Sequence, residues 1–111
     1  MMNQPYTEQD ALLRMTICGG EARVLLMRTT ALSQKAGDLH NASDTAIAAM
    51  SRLMTGTAML GVMMKEKDAN VTVIVDGGGA GGRMTCVAHG GSVKISVMNP
   101  HAELPPRADG Q

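Results

Sequence analysis

The chain has almost no aromatic side chains with which to build a core. Its 111 residues include no Trp, no Phe and a single Tyr, but 11 Met. Because 44% of the residues are apolar, we expect the chain to fold, and its length suits one small domain. Val, Ile, Leu and flexible Met must then fill the interior. Met-rich surfaces also re-pack against varied apolar partners, so composition leaves both a loosely packed core and an adaptable binding surface open.

Charge and hydropathy exclude two classes of partner. Ten basic and ten acidic residues give a formal net charge of zero, and no basic face stands out that would bind nucleic acid. The polar first ten residues do not resemble a signal peptide. The longest uncharged stretch that could be helical, 53–64, is too short to span a bilayer. We therefore expect no nucleic-acid partner, no membrane partner and a cytoplasmic location.

The two cysteines form no recognisable redox or metal motif. Neither Cys18 nor Cys86 belongs to a C-x-x-C pair, and no Cys/His cluster has zinc-binding spacing. Both are interpreted as ordinary thiols. Whether they lie close enough for a disulfide is left open, because the distance between them decides it. No metal site and no cofactor are predicted in this chain.

Two glycine pairs predict tight turns between strands. Gly19-Gly20 and Gly90-Gly91 each separate two apolar runs, as in β-hairpins. A further run of β-branched residues, Val71 to Asp76, predicts another strand. The predicted strands are 12–18, 22–29, 71–76, 83–89 and 92–98.

Two helices are predicted between the first hairpin and the later strands. Thr30 is expected to cap a helix over 31–39, and Ser43 or Asp44 is expected to start a longer one that reaches Lys65. The order strand-strand-helix-helix-strand-strand-strand predicts an α+β fold in which antiparallel hairpins are layered with the two helices.

No constellation of residues points to catalysis. Gly77-x-Gly79-x-x-Gly82 matches a dinucleotide fingerprint, but a strand and not a helix is predicted to follow it. The three histidines are scattered, no G-x-S-x-G elbow is present, and no carboxylates are paired in an apolar setting. We predict that the chain is not an enzyme. A small-ligand or nucleotide-binding module around the Gly77–Gly82 loop remains an alternative.

Several stretches together resemble a known family. They are the segment ending in Arg28-Thr29-Thr30, the helix 46–65, the strand Val71–Gly77, and the run 97–105 with Asn99-Pro100-His101. In order and spacing they are similar to the start of the redox-regulated heat-shock chaperonins, the 33-kilodalton holdases. The resemblance covers about 11–105, and it is one of pattern and order without a catalytic signature.

The resemblance implies an ATP-independent holdase that binds unfolding proteins under oxidative stress and prevents their aggregation. In that family the active form is a dimer, and a C-terminal zinc centre of four cysteines is the redox sensor. Here that motif is absent, so zinc is expected only in the full-length protein. We interpret 1–10 as a flexible tail, 11–105 as the N-terminal portion of an incomplete core domain, and 106–111 as a truncated tail.

The second helix is the candidate working surface under this interpretation. From Leu53 onward it is apolar or small on every side, as expected of a helix that its own domain or a partner buries. We expect unfolded client proteins and a second copy of the chain as partners. An inactive oligomerising fragment is a further alternative. The candidate client or dimer surface consists of Met50, Leu53, Met54, Met59, Leu60, Met63 and Met64.

Overall fold

The computed structural model describes residues 10–66 and 68–105. The α+β order predicted from the sequence is confirmed, and the predicted tails, except Asp10, lie outside the described residues. A short 3-10 turn, Cys18–Gly20, joins the first two strands. The elements are β1 (Ala11–Ile17), β2 (Ala22–Arg28), α1 (Thr30–His40), α2 (Asp44–Val62), β3 (Asn70–Asp76), β4 (Arg83–His89) and β5 (Ser92–Val97).

The strands form two separate antiparallel sheets. Strands β1 and β2 pair only with each other, whereas β4 lies at the centre of a three-stranded sheet in the order β3-β4-β5. Gly90 and Gly91 both have positive φ angles, 54° and 86°, which suit the two-residue turn between β4 and β5. Both predicted hairpins are therefore confirmed.

The N-terminus of α2 is capped as the sequence predicts. Ser43 has extended backbone angles, and its hydroxyl oxygen accepts a hydrogen bond from the Ala46 N–H at 3.2 Å. The same hydroxyl donates to the carbonyl oxygen of Ala102 at 2.6 Å. The helix ends at Val62, three residues before the predicted end at Lys65.

The cap of α1 differs from the prediction. Thr30 is the first helical residue, and the cap position, Thr29, makes no side-chain capping bond. The carboxylate of Asp10 accepts hydrogen bonds from the backbone N–H groups of Ala31 (3.0 Å) and Leu32 (2.8 Å). A residue that we assigned to a flexible tail thus satisfies two donors of a distant helix, where negative charge is also favourable.

The core lies between α2 and one face of the three-stranded sheet. Met50 and Met54 are each only 1% exposed, and the central strand contributes Cys86 at 0%. Methionine thus fills the place that aromatic residues take in many domains. Further buried members are Ala36, Ala46 and Met84, with Leu32, Ala42, Leu53, Val93, Ile95 and Val97 packed against them.

Candidate functional site at the carboxyl end of α2

Four of the seven predicted surface residues are accessible at or near the carboxyl end of α2, whereas Leu53 lies at the middle of the helix and packs against the core. Leu60, Met63 and Met64 are 44%, 47% and 45% exposed, and Leu53 and Met59 are half-buried. Met63 and Met64 follow the helix, yet their N–H groups donate to the carbonyls of its last turn at 3.2 Å. Hydrogen-bonded backbone therefore holds flexible apolar side chains at the surface.

Met50 and Met54 lie elsewhere. Both are enclosed in the core between α2 and the sheet, so neither belongs to an exposed surface of this structure. They are four residues apart and therefore share one helix face, and that face is the one covered by the sheet. The seven residues therefore do not form one surface: Met50 and Met54 are core, Leu53 packs against the core, and the other four gather at the carboxyl end of the helix.

An apolar cleft of about 410 Å³ opens beside this end of the helix. Its walls come from the end of α2, from β2 and from the turn between β4 and β5. The volume falls within the range of sites that bury an apolar ligand or side chains of a partner. The lining consists of Met27, Ala58, Gly61, Val62, Met64, Glu66, Ala69, Ala88, His89, Gly90, Gly91, Ser92 and Val93.

Gly61 explains how the helix lies so close to the sheet here. A Cβ atom at this position would be 2.9 Å from the Cβ of Ala88, closer than real carbon atoms approach. A Cβ at Gly56, in contrast, would meet nothing within 4 Å. The two glycines of α2 thus have different surroundings, and only Gly61 marks a close approach.

The cleft is lined mainly by apolar and small side chains. Within 10–66 and 68–105, no group of three or more His, Cys, Asp or Glu side chains is placed to hold a metal ion. Glu66 and His89 are the ionisable side chains among the cleft residues, and they come from different elements. The four-cysteine zinc centre that the resemblance implies therefore has no ligand set among the described residues.

The two cysteines are free and differ in their surroundings. Cys18 is exposed at the turn between β1 and β2, whereas Cys86 is buried in the centre of β4. Burial away from water raises the pKa of the Cys86 thiol, and a hydrogen bond with Thr57 opposes that shift. Cys86 therefore behaves as a small core residue whose thiol resists ionisation. The sequence left a disulfide between Cys18 and Cys86 open, and in the structure both thiols are free.

The Gly77–Gly82 loop lacks the context of a phosphate-binding loop. Strand β4 begins directly after it, so no helix N-terminus faces the loop from that side. Gly82 has a φ of 64°, and a Cβ there would lie 2.9 Å from the sulfur of Met98. The loop is held from within the fold, because the Asn99 side-chain amide donates to the Ala80 carbonyl at 2.8 Å.

The Asn99-Pro100-His101 run is part of the family resemblance seen in the sequence. In the structure it forms a turn that links β5 to α2. Beyond its contact with the glycine loop, Asn99 accepts a hydrogen bond from the His101 N–H at 3.2 Å through its side-chain oxygen. The Pro100 carbonyl accepts from the Ser43 N–H at 2.8 Å. This turn joins the end of β5 to the start of α2, which places α2 over the sheet.

Sequence reasoning missed one other contact that positions the site. The hydroxyls of Thr29 and Thr55 lie 2.6 Å apart and join the end of β2 to α2. Since the Thr55 hydroxyl also bonds the Ser51 carbonyl at 2.7 Å, Thr29 is the donor between the two. Because these partners are 26 residues apart, local periodicity carries no signal for them.

Among the residues that the structure describes, neither α1 nor α2 combines the length and the apolar character needed to cross a membrane.

Comparison with known proteins identifies the family. The family model described as Hsp33 protein matches residues 10–111. The chain is 41% identical over 105 residues to the 33 kDa chaperonin of Deinococcus radiodurans, covering 90% of this chain and 35% of that protein. It is 36% identical over 97 residues to the 33 kDa chaperonin of Clostridium perfringens strain SM101, covering 86% of this chain and 31% of the relative. The chain thus spans about a third of the length of these curated relatives, and it belongs to the Hsp33 family.

Proposed function

We propose that this chain is the client-binding portion of an ATP-independent holdase chaperone. The observation that carries the proposal is the exposed methionine-rich surface at the end of α2, beside an apolar cleft. Leu60, Met63 and Met64 are each nearly half exposed there, in a chain of the Hsp33 family. Flexible thioether side chains re-pack against unrelated apolar sequences, which is what a protein with many clients requires.

The proposal makes the chain a binding protein and not an enzyme, acting in the cytoplasm without a cofactor of its own. No redox step is assigned to Cys18 or Cys86, because one is an isolated surface thiol and the other is enclosed. Redox regulation, zinc binding and dimerisation are proposed for the longer protein, in line with the resemblance seen in the sequence.

The test is light scattering of a heat-denaturing client protein in the presence of a molar excess of the chain. We expect suppression of aggregation by the chain itself. The double variant Met63→Gln/Met64→Gln should lose most of it, because amides at these positions replace an apolar surface with a polar one of similar size.

A matched control is Met98→Gln. Met98 is 69% exposed but follows β5 at the end opposite the cleft, so its replacement should leave suppression unchanged. Absence of suppression by the unmodified chain would contradict the proposed function. Equal loss in both variants would show that general surface polarity, and not the end of α2, decides activity.

A further inference from the structure

The loop between β3 and β4 begins with an aspartate followed by a glycine. Asp76 is the last residue of β3, and Gly77 is the first of the loop. Asp109-Gly110 repeats the dipeptide, but among residues 10–66 and 68–105 no other Asp or Asn is followed by glycine. Because glycine has no side chain, its nitrogen can approach the preceding carboxyl group with little hindrance. Asp76 is therefore the described aspartate that is least shielded from the peptide nitrogen after it.

A hydrogen bond folds the Asp76 side chain over this peptide group. The Gly78 N–H donates to Asp76 Oδ1 at 3.3 Å, which is the turn that an aspartate side chain forms with the backbone two residues on. The ring closed by this bond contains both the Asp76 Cγ and the Gly77 nitrogen. The carbon and the nitrogen are therefore held together in one tight turn.

The Asp76 carboxyl group is accessible and only weakly held by its neighbours. Its side chain is 47% exposed, and its Oδ2 lies 3.6 Å from the Nε of Arg83, the residue opposite it on β4. The Arg83 side chain is itself 57% exposed. Because an ion pair between exposed side chains contributes little, it leaves the carboxyl group free to rotate toward Gly77.

The backbone at Gly77 also has room to move. Among the described residues its N–H has no hydrogen-bond partner, and a Cβ atom there would meet nothing within 4 Å beyond its chain neighbours. The later half of the loop is held more firmly. There the Gly82 N–H donates to the Gly79 carbonyl at 3.1 Å, and the Asn99 side chain bonds the Ala80 carbonyl. The Gly77 nitrogen thus lies in the less constrained half of the loop.

We propose that Asp76-Gly77 is a site of spontaneous aspartate isomerisation in the folded chain. The Gly77 nitrogen attacks Cγ of the protonated Asp76 carboxyl group. The N–Cγ bond forms as the C–OH bond breaks, and the N–H proton leaves with the hydroxyl group as water, which gives a five-membered succinimide ring. Water then opens the ring: addition at Cγ restores aspartate, whereas addition at the backbone carbonyl carbon gives isoaspartate. Water is the only co-reactant, and no electrons are transferred.

The isomerised product has a different backbone at the end of β3. In isoaspartate the main chain runs through Cβ and Cγ, so it is longer by one carbon, and the former backbone carbonyl becomes a free carboxylate. The pairing of Asp76 with Arg83 cannot keep its register after this change. This inference goes beyond the proposed holdase function, because the reaction needs no client protein.

The test is prolonged warm incubation of the folded chain in neutral buffer, followed by trypsin digestion and electron-transfer fragmentation, which distinguishes isoaspartate from aspartate. Trypsin releases Asp68 and Asp76 in the single peptide 68–83, so one spectrum compares them. Isoaspartate should accumulate at Asp76 at least about fivefold faster than at Asp68, which precedes alanine, and this ratio corresponds to a barrier lower by about 1 kcal/mol. Conversion at Asp109 in the same sample shows how fast an Asp-Gly sequence reacts outside the described residues.

Two alanine variants of the loop test which nitrogen attacks. Gly77→Ala should slow isomerisation at Asp76 by about fivefold, because the new methyl group hinders the attacking nitrogen. The matched control is Gly79→Ala: a Cβ atom there also meets nothing within 4 Å, but Gly79 is not bonded to an aspartate, so the rate should stay unchanged. Equal rates in the two variants would overturn the inference. Conversion at Asp109 with none at Asp76 would also overturn it, without any variant, because the fold would then block ring closure.

Discussion

The two sheets of this protein are built from similar sequences but have different surroundings. In β4, alternate residues Met84, Cys86 and Ala88 are buried because α2 covers that face. In β1 and β2, the facing pair Leu13 and Leu26 remains about half exposed. Alternation of apolar residues along a strand therefore marks a face that prefers burial, while a second element determines whether burial occurs. A two-stranded hairpin alone is only marginally stable, so the difference should be measurable.

The largest expected difference between the sheets is in cysteine reactivity. Iodoacetamide should modify Cys18, on the hairpin turn, at least about 1,000-fold faster than Cys86, because the core opens only at a cost of about 5 kcal/mol or more. Burial also raises the Cys86 pKa, so its reactive thiolate is scarcer in the folded state than in the unfolded state at the same pH.

The raised pKa of Cys86 also determines how the free energy of unfolding changes with pH. A thiol that holds its proton more tightly when folded stabilises the fold fully below the unfolded-state pKa, and this contribution is lost as pH rises through the folded-state pKa.

Mass spectrometry of the peptides over time, with and without urea, measures the modification rates of Cys18 and Cys86. Equal rates in the native protein would show that the central sheet is no better protected than the hairpin.

The next largest effect is on the free energy of unfolding. Met54→Ala should lower it by about 2–5 kcal/mol, because the lost side chain is fully enclosed between α2 and the sheet. Leu26→Ala, on the open face of the hairpin, should lower it by less than about 1 kcal/mol. Urea denaturation followed by circular dichroism measures the pair. Comparable losses would mean that the hairpin face is covered in solution.

The smallest expected effects on the free energy of unfolding come from alanine substitutions at the two glycines of α2. Gly61→Ala should destabilise by about 1–3 kcal/mol, because its new methyl group would press on Ala88 where the helix meets the sheet. Gly56→Ala should stabilise by up to about 1 kcal/mol, since alanine favours the helix and open space surrounds that position. Thermal unfolding of both variants checks the opposite signs, and two changes of the same sign would contradict the close approach at Gly61.

The local signals in the sequence were sufficient for the order of elements. Paired glycines located both hairpin turns, and the predicted strand 83–89 coincides with β4. Contacts between distant residues carry no such signal. Asp10 caps α1 from 21 residues away, so the polar run before β1 was interpreted as a tail. The candidate surface shows the same limit: helical spacing grouped Met54 with Met63, but only the position of the sheet separates a core residue from an exposed one.

The division of the methionines between core and surface also has a consequence for covalent damage. Oxidants convert the accessible thioethers of Met63, Met64 and Met98 to sulfoxides well before they reach Met50 and Met54, which are enclosed. The first lesions therefore make the surface at the end of α2 polar while the packing beneath it stays intact. Enzymatic reduction of the sulfoxides would restore that surface without any need for the chain to refold.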